Sequence, residues 1–345
     1  MKKTFFKCYN MPVKKLILID GNAILHRAFH ALPPLTNKDG IIVNAVYGFF
    51  SMFLKILEDQ KPDFIIVCFD RKAPTFRKEL YVGYQARRPK MSEDLTPQIK
   101  FVHEILEKAK VEIFEVDGYE ADDLIGTIAH QAVNGSRFIV HGKNKKINHQ
   151  QSTINHEPME VFIVSGDRDL LQLVNSHVKM IAPVTGLTNM IIFDEAAVTQ
   201  KYGIKPSQMV DYKALVGDAS DNYPGVAGIG PKTASTLINE YKSLENIYNS
   251  LEEIKVKNTN LALKLATDAE AAGLAQKLAG VVLDAPIALD IEKADVKYFD
   301  KKELIKKFEK FGFKSLLKRL NGEQPAVAKT LAGKEKPEAK QMELL

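Results

Sequence analysis

The stretch at residues 118–126 reads GYEADDLIG and places three acidic side chains, Glu120, Asp122 and Asp123, within four residues of one another. An apolar run at residues 111–116 precedes it and a helical pattern follows it, which predicts that the acids lie at a strand-to-helix turn. One or two acids there are explained by capping, because a helix N-terminus favours negative charge. Three crowded carboxylates repel one another unless a cation lies between them. Their hard oxygen atoms favour magnesium or manganese, and the stretch therefore predicts part of a metal site.

Three other short apolar runs in the sequence also end in acidic residues. Continuous apolar strands that alternate with helices predict a parallel sheet covered on both faces. Ligands of such sheets bind beyond the carboxyl ends of the strands. An acidic surface loop explains one such strand end well, but it explains four of them poorly. The three further runs and their acids are residues 16–19 with Asp20, residues 64–69 with Asp70, and residues 161–165 with Asp167 and Asp169.

The charge reverses after Asp70, where residues 71–100 are predicted to form a basic arm. Cations with aromatic spacing suit a single nucleic-acid strand, since phosphates bind the cations and bases stack on the rings. A charged, solvated helix beside the sheet explains the same composition about as well. The position directly after a sheet-edge acid favours a substrate arm. Its basic residues are Arg71, Lys72, Arg77, Lys78, Arg87, Arg88 and Lys90, and its aromatic residues are Phe76, Tyr81 and Tyr84.

A glycine-rich stretch at residues 217–234 reads GDASDNYPGVAGIGPKTA and predicts a helix-hairpin-helix element. Glycines allow backbone amides to approach a phosphate, and the following helix N-terminus adds a favourable dipole. A tight turn without function is the alternative, but two acids precede the hairpin and a lysine follows it, which favours binding to a duplex backbone. The residues concerned are Asp218, Asp221, Gly225, Gly228, Gly230, Lys232 and Thr233.

Composition limits the remaining possibilities. The chain has 345 residues, 45% apolar and 26% charged, with a net charge of +5. These values are typical of a soluble globular protein, and they permit nucleic-acid binding without demonstrating it. Cys8 and Cys68 form no metal or disulfide pattern, and no run approaches a membrane span, so we expect a cytoplasmic protein. The predicted parts are an extension at 1–13, with Met11 as an alternative start, an α/β metal-binding domain at 14–200 with an insertion at 134–159, a helical DNA-binding module at 201–320, and a flexible tail at 321–345.

Seven stretches together resemble the 5′-nuclease domain at the N-terminus of bacterial family A DNA polymerases, within the flap endonuclease superfamily. The resemblance runs from about residue 14 to residue 320 and implies a PIN-like 5′-nuclease fold. It also implies removal of DNA flaps or RNA primers by a monomer that uses two metal ions. The stretches lie at residues 16–37, 44–49, 70–81, 118–127, 165–174, 217–234 and 312–320.

The same resemblance implies roles for individual residues. It implies Mg²⁺ as the metal, with Mn²⁺ as an alternative, and K⁺ as an option at the hairpin. A first ion would be held by Asp20, Asp70, Glu120 and Asp122, with Asp123 beside it; a second would be held by Asp167, Asp169 and Asp221, with Asp218 nearby. Arg27, Arg77 and Lys78 match the clamp on the scissile phosphate, to which Arg87 or Arg88 would contribute, and Tyr84 matches a DNA-binding position.

One position departs from the family pattern. Relatives typically read Tyr-Lys-Ala-Asn-Arg where this chain has Tyr84, Gln85, Ala86, Arg87 and Arg88. We expect Arg87 to compensate in part for the missing lysine, because one helix face could present Arg87 or Arg88 to the same phosphate. The variant Gln85→Lys should therefore change single-turnover cleavage little, and a gain of orders of magnitude would refute the compensation.

The last five residues read QMELL and resemble the peptide with which bacterial proteins bind the sliding clamp. Gln341 would set the register, and Leu344 and Leu345 would fill a pocket. No polymerase sequence follows, which leaves either a stand-alone nuclease or an N-terminal fragment of a larger polymerase. The motifs also leave open a branched-DNA-binding module that does not cut, and a ribonuclease with the same acidic sheet edge.

Overall fold

The computed structural model describes residues 13–134, 159–187 and 189–322. Its centre is a six-stranded sheet in the order β3-β2-β1-β4-β5-β6, in which the first five strands of the chain run parallel and β6 pairs antiparallel with β5. The strands are β1 (Lys15–Asp20), β2 (Phe64–Cys68), β3 (Glu112–Phe114), β4 (Glu160–Val164), β5 (Val178–Thr185) and β6 (Asn189–Phe193).

The predicted α/β fold with a largely parallel, helix-covered sheet is confirmed. In β1, Leu16 and Leu18 enter one core while Ile17 and Ile19 enter the other, as expected for a strand buried on both faces. The sequence did not predict the β5–β6 hairpin. Its outer strand is largely exposed and has no continuous buried run, so the pattern that marks the inner strands is missing.

Helices cover both faces of this sheet. One face packs against α5 and, beyond it, the helical module; the other packs against α2 and α4. Helix α1 begins directly after β1, where the Asp20 carboxylate accepts a hydrogen bond from the Ala23 amide and so caps the helix. These helices are α1 (Gly21–Ala31), α2 (Asn44–Gln60), α3 (Phe76–Leu80), α4 (Thr96–Lys108) and α5 (Ala121–Asn134).

The helical module follows the sheet. It contains a two-strand ladder, β7 (Gly217–Asp218) with β8 (Tyr223–Pro224), directly before the glycine hairpin. At Gly217 the φ angle is +75°, and an added Cβ would lie 2.4 Å from the backbone nitrogen of Gly225, so both positions require glycine. The helices are α6 (Glu195–Tyr202), α7 (Met209–Val216), α8 (Pro231–Tyr241), α9 (Leu244–Asn249), α10 (Leu251–Lys257), α11 (Thr259–Thr267) and α12 (Ala269–Ala279).

The last two helices, α13 (Lys301–Phe311) and α14 (Lys314–Leu320), correct the sequence-based division at 201–320. They pack on the α/β part rather than on the helical module. The ring of Phe308 lies 5.3 Å from that of Phe50 in α2, measured between centroids. The physical reason is that α13 has an apolar face, and the phenylalanines on this face pack against those of α2.

Several predicted features lie outside the described residues. They are residues 1–12 of the N-terminal extension with Met11, residues 135–158 of the insertion, and residues 323–345 of the tail with Gln341, Leu344 and Leu345. Within the described ranges, no helix is both long and apolar enough to cross a membrane.

Candidate metal centre

The carboxyl ends of four parallel strands bring the predicted acids into one cluster. The Ser165 hydroxyl at the end of β4 donates to Asp20 over 2.7 Å, and the Ala121 amide at the start of α5 donates to Asp70 over 2.7 Å. The Tyr84 hydroxyl lies 3.1 Å from a Glu120 oxygen and 3.3 Å from an Asp221 oxygen. These hydrogen bonds join the end of β1 to the end of β4, and they join Asp70 after β2 and the turn before α5 to Asp221.

Burial and repulsion by neighbouring acids raise the pKa values of three carboxyls in the cluster, those of Asp20, Asp122 and Asp169. Burial, with the charges of Asp70 and Asp167, raises the pKa of Asp20 from 3.8 to about 7. Burial, again with Asp167, raises the pKa of Asp169 to about 7. The pKa of Asp122 is raised well above its ordinary value by burial and by four neighbouring acids. Without a cation, the cluster therefore retains protons near neutral pH.

The donor set fits a hard divalent cation. Its atoms are carboxylate oxygens, and Asp70 is exposed, which leaves the cluster open to solvent. Within the described ranges, no three acidic, histidine or cysteine side chains form a ready-made coordination cage. Protein donors take up many of the oxygens, for example Asn22 on Asp70 and Ser165 on Asp20. The fit therefore rests on charge and donor chemistry rather than on pre-organised coordination.

Asp123 lies in an internal ion pair, which differs from the position beside the first metal ion that the sequence predicted. Its side chain is fully buried and forms a bidentate ion pair with Arg77, in which each guanidinium Nη lies 2.8 Å from one carboxylate oxygen. It also accepts the backbone amides of Glu120 and Val282. Both of its oxygens are thus occupied by protein groups that close the turn and attach it to the segment after α12.

Arg77 is likewise not placed as a phosphate clamp. The side chain is 3% exposed, and its guanidinium donates to Asp123, Glu120 and the carbonyls of Leu278 and Gly280. The predicted clamp role does not fit this geometry, because these acceptors use the donors that a phosphate would need. Arg77 instead joins the arm, the α5 turn and the end of α12.

The other arm residues divide into buried and open groups. Tyr84 is 4% exposed and bonded to acids, so its ring offers no stacking surface for a base. Arg88 is half-exposed and forms an ion pair with Asp221 at 2.5 Å. Lys78 and Arg87 are exposed and form no ion pair with the described residues, which leaves them open to a phosphate. Arg27 donates to the carbonyls of Val184 and Gly186 in the β5–β6 hairpin.

The glycine hairpin has the predicted open backbone. Gly228 has φ of +75° and is exposed, as is Gly230, and α8 begins one residue later with exposed Lys232. Buried Val226 and Ile229 anchor the hairpin in the core. The ammonium of Lys264 lies 3.4 Å from the Gly228 carbonyl, so a cation of the chain already contacts this loop.

Sequence reasoning missed one charged residue of the cluster, Lys213 in α7. Its ammonium pairs with both Asp169 and Asp218. Burial raises the pKa of Asp218, but hydrogen bonds from Lys213 and Ser220 outweigh it and hold that pKa below its usual value. The available signal was a lysine five residues before Asp218 in the predicted helical module, which is too common a pattern to distinguish Lys213 from other lysines.

The six-stranded sheet with an acidic carboxyl edge, followed by a glycine hairpin and a helical module, defines the class as a 5′-nuclease-type α/β protein. Residues 15–148 match the family model of the 5′-3′ exonuclease N-terminal resolvase-like domain, and residues 204–302 match that of the 5′-3′ exonuclease C-terminal SAM fold. The chain belongs to the 5′-3′ exonuclease family, which confirms the resemblance seen in the sequence.

Two kinds of relatives are similar along most of the chain. The 5′-3′ exonuclease of Aquifex aeolicus is 35% identical over 309 residues, which cover 90% of this chain and 96% of that protein. DNA polymerase I of Caldicellulosiruptor bescii is 40% identical over 308 residues, which cover 89% of this chain and 33% of the polymerase. The chain therefore spans about a third of the length of the polymerases that it matches.

Solved structures show the same fold. The phage T5 D15 protein crystallised with metal ions aligns with a TM-score of 0.58 at 19% identity, covering 85% of this chain and 99% of that one. The catalytic core of Rad2 in complex with a DNA substrate aligns with a TM-score of 0.53 at 16% identity, covering 89% and 92%. At these identities the comparison shows the fold alone.

Proposed function

We propose that this chain is a divalent-metal-dependent nuclease that hydrolyses the DNA backbone at a 5′ flap or an RNA primer. The observation that carries the proposal is the acidic cluster, in which Asp20, Asp70, Asp122 and Asp167 have no lysine or arginine nitrogen within 4.0 Å among the described residues. Such a site repels a nucleic acid unless divalent cations neutralise it. The chain belongs to a 5′-3′ exonuclease family, and divalent cations can catalyse the hydrolysis that such a nuclease performs.

The metal ligands are proposed as two groups. Bound divalent ions would polarise the scissile phosphate and lower the pKa of a bound water. We propose Mg²⁺, with Mn²⁺ as the alternative. The first ion is assigned to Asp20, Asp70, Glu120 and Asp122, and the second to Asp167, Asp169 and Asp221 with Asp218 nearby.

Other residues would position the DNA. Lys78 and Arg87 are the exposed cations of the arm and are proposed to bind the phosphate next to the cut. The amides around Gly228 and Gly230, with Lys232 at the helix start, are proposed to bind the duplex backbone. The ammonium of Lys264 already places a positive charge at the Gly228 carbonyl. A K⁺ ion at this hairpin is kept as the alternative source of that charge.

The test uses a 5′-labelled DNA flap and a matched single strand, incubated with Mg²⁺ and separately with a chelator. We expect cleavage near the base of the flap with Mg²⁺ only. No cleavage of either substrate, or equal cleavage with the chelator, would contradict the proposal. Binding of the flap without cleavage would instead favour a DNA-binding module.

Metal binding should stabilise the fold in a pH-dependent way. The pKa values of Asp20 and Asp169 are near 7 in the folded chain against 3.8 ordinarily, so the folded state binds more protons. Their ionisation therefore costs stability as pH rises from about 4 through 7, and the cost is complete above 7. Mg²⁺ offsets this cost, and we expect a larger Mg²⁺-induced rise in Tm at about pH 8 than at about pH 5.5.

The measurement is a thermal unfolding scan with and without Mg²⁺ at both pH values. An equal shift at both values would show that the cluster does not bind the ion. A sodium chloride series at matched ionic strength serves as the control for screening.

Two partner proposals remain from the sequence. The tail would bind a sliding clamp through Gln341, Leu344 and Leu345, and the nuclease would act as a monomer. Deleting residues 341–345 and measuring binding to an immobilised clamp tests the first, and light scattering tests the second.

A further inference from the structure

The side chain of Lys213 lies inside the acidic cluster and has no part in the proposed chemistry. It comes from α7 and is 15% exposed. Its Nζ pairs with Asp169 Oδ1 and with Asp218 Oδ2. Both carboxylates belong to the group assigned to the second metal ion, so an ammonium of the chain already lies among the ligands of that ion.

Lys213 takes the one Asp218 oxygen that the local turn does not use. Asp218 Oδ1 accepts the amides of Ser220 and Asp221 and so closes the turn. Its Oδ2 is left for Lys213. A metal ion that bound Asp218 and Asp169 through these oxygens would compete directly with the ammonium, because both need the same lone pairs.

The two halves of the cluster therefore differ in charge balance. In the half assigned to the first ion, only Glu120 pairs with a cation of the described chain, namely Arg77. In the second half, Asp169 pairs with Lys213 and Asp221 pairs with Arg88. Arg88 is half-exposed on the arm, whereas Lys213 is 15% exposed and lies in a helix whose neighbouring residues are part of the core.

We propose that Lys213 is a built-in counter-ion for the second metal position. The free protein then takes up one divalent ion strongly and the second weakly, because the second must displace the ammonium from two carboxylates. An arriving phosphate gives the displaced ammonium a new partner and so favours loading of the second ion on the substrate complex. The inference rests on the proposed function and deepens it by ordering the two ions.

The test is a calorimetric titration of the full chain with Mn²⁺ in the absence of DNA, with free Mn²⁺ followed in parallel by electron paramagnetic resonance. In Lys213→Met we expect the second Mn²⁺ to bind at least about tenfold more tightly, and the first to change by less than about threefold. The metal-free variant should also unfold at a lower temperature, since it leaves Asp169 without its cation, and Mn²⁺ should restore the loss.

Two control variants separate the effect from general charge removal. Lys213→Arg keeps the positive charge, and its second Mn²⁺ should stay weak. Lys179→Met removes a lysine paired with Glu160 at 2.8 Å, at the opposite end of the strands, and should leave both affinities unchanged. If Lys213→Met does not fold, Lys213→Gln is used in its place, because it keeps a neutral donor for the two carboxylates.

The outcomes are distinct for the two proposals. Unchanged or weaker binding of the second Mn²⁺ in Lys213→Met, or in Lys213→Gln where it replaces Lys213→Met, overturns the counter-ion role, as does a wild-type chain that takes up two ions with equal affinity. A wild-type chain that binds no Mn²⁺ contradicts the proposed function instead.

Discussion

Replacing Asp122 with asparagine is expected to reduce flap cleavage by about a thousandfold while making the metal-free protein more stable. The loss of activity follows from removing a proposed ligand of the first ion, since an amide carries no charge to hold a divalent cation. The gain in stability follows from the raised pKa of Asp122, which reports that its charge is unfavourable in the folded chain. Asparagine removes that charge.

The opposite directions of the two effects make this experiment decisive. Single-turnover cleavage with Mg²⁺ gives the activity, and thermal unfolding at about pH 8 without metal gives the stability. The matched control is Asp117→Asn. Asp117 is an exposed acid just before the same turn, and its carboxylate pairs with Arg71. Cleavage at the wild-type rate by Asp122→Asn would remove Asp122 from the metal site. A large drop in stability would show that its charge supports the fold.

Replacing Arg77 with methionine is expected to lower the free energy of unfolding by about 3 to 5 kcal/mol. The change leaves the fully buried Asp123 charge without its partner, and it removes donors from the carbonyls of Leu278 and Gly280. Urea unfolding of the metal-free chain measures the loss. Arg71→Met is the matched control, because its ion pairs are exposed and should contribute less than about 1 kcal/mol.

A double variant distinguishes a structural role of Arg77 from a phosphate clamp. Adding Asp123→Leu to Arg77→Met should recover part of the lost stability, because the remaining buried charge is removed. A clamp would behave differently: Arg77→Met would then keep its stability and weaken DNA binding. That result would contradict the buried ion pair between Arg77 and Asp123.

Much of the site could be predicted because its signals are local. Asp20, Asp70 and Asp167 follow short apolar runs, and parallel strands place their carboxyl ends at the same edge. The glycines at 225, 228 and 230 mark a hairpin, and the structure requires glycine at 225, where a Cβ would meet the Gly217 backbone, and favours it at 228, where φ is +75°. The cluster and the hairpin were therefore readable from the order of residue types along the chain.

The pairing of charges could not be predicted in the same way. Arg77 and Lys78 are neighbours of the same charge type, yet one is buried against Asp123 and the other is exposed. Lys213 lies within the predicted helical module, but the sequence did not predict that its ammonium would reach Asp169, 44 residues earlier in the chain.

For GYEADDLIG, the sequence by itself determined that three acids meet at the start of a helix and that the repulsion among them must be offset. Only the tertiary structure decided how. Asp123 points inward to Arg77, whereas Asp122 stays without a lysine or arginine partner among the described residues. The physical reason is that adjacent helix positions face different directions, and only packing decides which carboxylate meets a cation of the chain and which does not.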